Sequence, residues 1–228
     1  MFKFEKYTEI LEIIKKARKQ TKIIAISKNH PQESVKEALS AGVEIFGENR
    51  VQEAKLKFNT VLKDNKSIKL HMTGPLQTNK VKLALDLFDV FHTLDREKLL
   101  KEFVKYRDKS KNKTFFIQIN TGKESTKSGV FPEDAKKFLN LCKSYGLNNI
   151  SGLMCIPPIN EDPRNHFKLI CDLSSELGLG QPSIGMSSDY LKAIEFNPQY
   201  IRLGTILFGN RKWRIKFLYI PNYQFIKL

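Results

Sequence analysis

Apolar positions along this chain follow two alternating rhythms. From Tyr7 to Lys19, Ile10, Leu11, Ile13, Ile14 and Ala17 recur at helical spacing. Ile23, Ile24, Ala25 and Ile26 then run without interruption, as in a short strand covered on both faces. The same switch recurs down the chain. It predicts further strands over 43–46, 68–72, 88–92, 114–119, 150–154, 182–185 and 200–203. Helices are predicted over 31–40, 48–62, 77–87, 95–106, 132–145, 163–177 and 187–196. Gly42 and Gly146 mark helix ends, and Gly47 closes the second strand. Asp95 is a helix cap, as are Ser187, Ser188 and Asp189 as alternatives.

Strands that alternate with helices imply parallel pairing through helical crossovers. Eight such units imply an α/β fold of one closed (β/α)8 barrel over residues 1–211. An open doubly wound sheet is the alternative, but no G-x-G-x-x-G follows the first strand. Residues 212–228 stand outside this pattern as an atypical tail of basic and aromatic residues. Such a tail suits a nucleic-acid or membrane-surface arm, and suits better aromatics packed on the outside of the barrel.

Charge and cysteine usage narrow the partners. Lys and Arg number 39 against 24 acidic residues, a formal charge of +15. The lysines are scattered and no long run of like charge occurs, so a soluble surface is expected and nucleic acid is not. Cys142, Cys155 and Cys171 form no C-x-x-C pair, which argues against zinc or a disulfide framework and for a reducing compartment. The start, Met-Phe-Lys-Phe-Glu-Lys, lacks the apolar core of a signal peptide, and no apolar run has membrane-spanning length. A cytoplasmic location is expected.

In a barrel of this kind the chemistry sits where the strands end. Those positions hold Lys28, the Gly47–Asn49 turn, His71, Thr93, Asn120, Met154-Cys155, Gly185–Ser187 and Arg202–Thr205. A lysine after a strand is most often solvated. At a barrel rim, partial desolvation lowers its pKa, and the neutral amine attacks aldehydes. Small residues after the seventh and eighth strands let backbone N–H groups approach phosphate oxygens. The ligand implied is an aldehyde bearing a phosphate, and pyridoxal 5′-phosphate (PLP) is one. Arg202 is placed to face the pyridine nitrogen, or else a carboxylate on the barrel floor; a guanidinium only donates. Asn49 holds the phenolic side of the ring or caps the next helix. His71 is expected to bond a loop carbonyl, and His30, His92 and His166 show no metal-site spacing.

At these residues the chain resembles the pyridoxal phosphate homeostasis proteins, the YggS/PROSC family. The likeness covers nearly all of residues 8–211. It rests on Ala25-Ile-Ser-Lys28, Gly47-Glu-Asn-Arg-Val-Gln-Glu53, His71-Met-Thr-Gly-Pro-Leu-Gln-Thr-Asn-Lys80, Lys127-Ser-Gly129, Gly152-Leu-Met-Cys-Ile-Pro-Pro158, Gly185-Met-Ser-Ser-Asp189 and Ile201-Arg-Leu-Gly-Thr-Ile-Leu-Phe-Gly209. It implies a fold-type III barrel related to the N-terminal domain of alanine racemase. It implies PLP held as an internal aldimine, a Schiff base, on Lys28. Ser187, Gly204 and Thr205 would hold the phosphate and Arg202 the ring nitrogen, with Asn49 and Met186 completing the cofactor-binding set. The family is expected to buffer or carry PLP, as a monomer, for PLP-dependent apo-enzymes, with no catalytic residue of its own. A PLP-dependent racemase-like enzyme and a class I aldolase-like barrel are the alternatives.

Overall fold

A helix leads the chain in the computed structural model, which describes residues 1–210. After α1 (Phe4–Lys16) come β1 (Lys22–Ile26), α2 (Gln32–Ser40), β2 (Ile45–Glu48), α3 (Val51–Phe58), α4 (Val61–Asp64) and β3 (Lys69–Met72). The middle of the chain forms α5 (Val81–Leu87), β4 (Val90–Leu94), α6 (Glu97–Lys105), α7 (Arg107–Ser110) and β5 (Thr114–Ile119). Then follow α8 (Ala135–Ser144), β6 (Ile150–Cys155), α9 (Pro163–Glu176), β7 (Ser183–Met186), α10 (Tyr190–Ile194), β8 (Tyr200–Leu203) and α11 (Thr205–Phe208). Each strand pairs in parallel with the next, and β8 pairs back onto β1 with Ile24 opposite Arg202. The expected (β/α)8 barrel is the observed fold. The tail anticipated at 212–228 lies outside the described residues.

Strand periodicity divides the core into two layers. Ile24, Ile26, Val90, Phe116, Met154 and Tyr200 meet inside the barrel. Their neighbours of opposite parity, among them Ile23, Ala25, Phe46, Leu70, Phe91, Ile117 and Leu203, join the larger core between strands and helices. Small barrels fill their taper by setting small residues against large ones. Gly47 does this on β2: a Cβ there would stand 2.4 Å from Cδ1 of Ile26 and 2.8 Å from Cγ2 of Ile24.

Several boundaries differ from the sequence expectation, among them the helix expected over 48–62, which is two helices, and two differences have a visible local reason. The second strand was expected at 43–46 but starts at Ile45 and runs through Gly47 to Glu48. Val43 belongs to the end of α2 instead. Gly42 is left-handed, its N–H bonds the Leu39 carbonyl, and the Val43 N–H reaches back to Ala38. This is a complete Schellman closure, with Val43 buried as its apolar lid. At α1 the same closure falls on Arg18, left-handed at φ 53°, so the helix ends at Lys16 rather than at 19.

Candidate functional site

Beyond Ile26 the chain stays beside β2, where the Ser27 N–H donates to the Gly47 carbonyl at 3.1 Å. It then reverses over Ser27–His30, closed by the His30 N–H on the Ser27 carbonyl at 3.0 Å. Asn29, the third residue, is left-handed at φ 62°, the pattern of a type II turn. Lys28 therefore occupies the second turn position. It is half-buried.

A buried ionic cluster backs this turn. Glu48, fully buried on β2, accepts from Ser27 Oγ and from Lys57 Nζ of α3, both at 2.6 Å, through one oxygen. Lys57 Nζ also donates to the Ser27 carbonyl at 2.6 Å and to Glu53 at 3.1 Å. Glu53 in turn accepts the backbone N–H of Asn29. Burial pushes the Glu48 carboxyl up from the usual carboxylate range, while Lys57 opposes that rise. Glu48 and Glu53 lie in a motif singled out in the sequence, but Lys57 was missed. A lysine four residues after Glu53 reads as an ordinary surface pair on a helix.

Arg202 lies on the opposite side of the strand junction. It is buried, and its Nη1 donates to the carbonyl and the Oγ of Ser183, at 2.7 and 2.8 Å. Its Nη2 donates to the Cys155 carbonyl at 2.8 Å. Three of its five N–H groups are thus taken, and no carboxylate pairs with it among the described residues. The alternative of a carboxylate partner on the barrel floor is not what the structure shows. Burial lowers its pKa from the ordinary value, yet a guanidinium stays charged.

The turns after β7 and β8 meet at Ser187. Its Oγ accepts the N–H of Gly204 at 3.2 Å and of Ile206 at 3.4 Å. Two backbone donors thus converge on one oxygen, the geometry that holds an anion in turn-built nests. Ile206 was not foreseen, because a backbone donor leaves no mark in side-chain chemistry. Thr205 begins α11 and is exposed. Met186 is partly buried, and its N–H bonds the Asp189 carboxylate at 2.5 Å. Neither Ser187 nor Asp189 therefore caps α10 with its side chain, as had been expected.

Asn49 does not cap α3 either. Its Oδ1 accepts from Thr73 Oγ1 at 3.0 Å, and its partly exposed amide nitrogen has no partner among the described residues. The loop 121–129 is held by two side chains from the end of β5. Gln118 donates to the Ser128 carbonyl at 2.9 Å, and Asn120 donates to the carbonyls of Glu124 at 2.8 Å and Lys127 at 3.2 Å.

His71 corrects another expectation. It bonds no loop carbonyl; its Nδ1 lies 3.0 Å from Nε2 of His92. His92 stacks on Phe116, and Tyr200 presents an edge to both imidazoles. Burial, then Lys69 and Lys22, lower the His71 pKa to about 3. Burial, then His71 and Arg202, hold His92 well below its ordinary value. At neutral pH both imidazoles are therefore uncharged. The thiols are not reactive groups: burial lifts Cys142 and Cys155 to about 12 and Cys171 to about 11.

This arrangement has relatives. Residues 7–212 match the family model described as alanine racemase, N-terminal domain. A pyridoxal phosphate homeostasis protein of Aquifex aeolicus is 36% identical over 92% of this chain and 98% of its own length. Another, from Vibrio cholerae, is 34% identical over 87% of this chain and 89% of its own. Among solved structures, PipY, the COG0325 family member of Synechococcus elongatus, has been determined with PLP bound. It is 31% identical, with a TM-score of 0.70 over 83% of this chain and 93% of that one. On this match the chain belongs to the alanine racemase N-terminal domain family and, within it, to the pyridoxal phosphate homeostasis proteins.

Proposed function

We propose that this chain binds pyridoxal 5′-phosphate at the mouth of its barrel and serves as a cytoplasmic, monomeric holder of that cofactor for PLP-dependent apo-enzymes. The observation that carries the reading is Arg202: a buried cation with no carboxylate partner among the described residues, with donors left over, on the strand paired to the one that delivers Lys28. The donor set also fits the other end of the ligand, since the N–H groups of Gly204 and Ile206 already converge on an oxygen, that of Ser187. The names of the homeostasis relatives and the PLP-bound PipY structure support the same assignment.

When bound, PLP supplies an aldehyde carbon that an amine captures with loss of one water, together with a ring able to withdraw electrons. Lys28 provides that amine, from the turn that follows β1. Ser187, Gly204 and Thr205, with Met186 beside them, receive the phosphate. Asn49 offers its amide nitrogen to the ring edge. Arg202 donates to the ring nitrogen, and a donor that cannot accept keeps that nitrogen unprotonated. Electron withdrawal is then weak, which suits binding and release rather than turnover.

The test is borohydride reduction of the protein mixed with PLP, followed by peptide mass measurement. A pyridoxyl adduct on Lys28, absent from Lys28→Ala, is expected. An unmodified Lys28 at saturating PLP overturns the proposal. Light scattering during gel filtration checks the single-chain state.

A further inference from the structure

The residues on either side of Lys28 are gripped from behind by side chains that never enter the barrel mouth. Ser27 is held through its hydroxyl by Glu48 and through its carbonyl by Lys57. Asn29 is held through its backbone N–H by Glu53. Glu53 and Lys57 both belong to α3, and Lys57 links all three groups. Glu48 uses one carboxylate oxygen twice, and its other, Oε2, is buried without a partner. Stability alone does not favour such a cluster. A buried ion pair is commonly replaced by apolar residues of similar size at little or no cost, whereas an orphaned polar atom is a penalty. What the cluster does achieve is geometric. It fixes a turn that contains a left-handed Asn29, and with it the direction of Lys28.

We infer that Lys57, together with Glu48 and Glu53, is a positioning set for Lys28, holding the turn so that the amine meets the bound aldehyde from a fixed direction. This rests on the reading of Lys28 as the attachment point. The alternative is a purely structural clamp between α3 and the end of β2. The two differ in what happens when the charges are removed as a pair.

The experiment uses the full chain carrying Glu48→Leu and Lys57→Met together, which replaces the pair by apolar side chains of similar size. The expected result is a folded chain, its thermal midpoint lowered only by the Ser27 hydroxyl left without its acceptor, with PLP affinity weakened by roughly tenfold or more. The fraction of Lys28 trapped by borohydride at limiting PLP falls in parallel. A folded double variant that loads PLP like the wild type overturns the inference. Should the double variant fail to fold, Glu53→Ala and Glu53→Gln decide. Alanine removes the acceptor for Asn29 and is expected to weaken loading, while glutamine keeps the acceptor and restores it. Equal loading by these two also overturns the inference. A wild-type chain that yields no pyridoxyl-Lys28 removes the functional reading, and this inference with it. A labelled wild type with indifferent variants removes this inference alone.

Discussion

Nδ1 of His71 and Nε2 of His92 lie 3.0 Å apart inside the barrel, so one imidazole donates and the other accepts. That contact excludes protonation of both rings together, and burial keeps both neutral by lowering both pKa values. The unfolded chain protonates each histidine near its ordinary pKa of about 6.5. The folded chain binds no proton at His71 until about pH 3. The unfolded state therefore holds more protons in this window, and stability falls as pH drops below about 6.5, by about 1.4 kcal/mol per unit for each imidazole. Urea denaturation at several pH values measures it. His71→Leu combined with His92→Phe is expected to flatten the acid limb relative to the wild type.

Arg202 donates to three oxygens on β6 and β7, at Ser183 and Cys155. Arg202→Ala strands buried acceptors and is expected to cost about 1–3 kcal/mol for each one left unpaired. Arg202→Lys keeps the charge but not the fork that spans two strands. It is expected to lie between alanine and wild type in both thermal midpoint and PLP affinity.

Ser187→Ala removes the oxygen on which two backbone donors converge. If the Ser187 hydroxyl, which accepts from both, gives its own proton to the phosphate, affinity for PLP falls while affinity for pyridoxal, which lacks the phosphate, does not. A fall of roughly tenfold for PLP alone is expected from titration of both.

Gly47→Ala drives a methyl into Ile26 and Ile24. Overpacking of this kind costs about 1–3 kcal/mol. Ile26→Val deletes the Cδ1 atom that would lie nearest, so the double variant is expected to regain part of the loss. A double-mutant cycle on unfolding free energies checks the coupling.

None of the three cysteines is in a disulfide, yet a thiol reagent at pH 8 is expected to label the native chain poorly. Unfolding in urea is expected to release all three thiols, and the count per chain is the readout.

The sequence exposed some of this and hid the rest for identifiable reasons. Uninterrupted runs such as Ile23–Ile26 and Phe115–Ile117 show their strand character because both faces are buried. Helix ends marked by Gly42 and Gly146 were visible, since glycine is the usual left-handed residue. The end at Arg18 was not, because an arginine carries no such signal. Lys28 and Arg202 were legible as odd polar residues at strand ends. Lys57 and the paired imidazoles were not. Their partners come from other strands and helices, and no local pattern records that His71 will face His92.

Closure of β8 on β1 has a consequence for biosynthesis. The amine arrives with the first strand and the guanidinium with the last, 174 positions later by the numbers of Lys28 and Arg202. A nascent chain that ends before β8 carries the lysine but neither the arginine nor the Gly204 turn. On the proposed reading cofactor capture waits for β8, and a fragment released earlier from the ribosome would keep the amine but lack the donors proposed for the ring nitrogen and the phosphate.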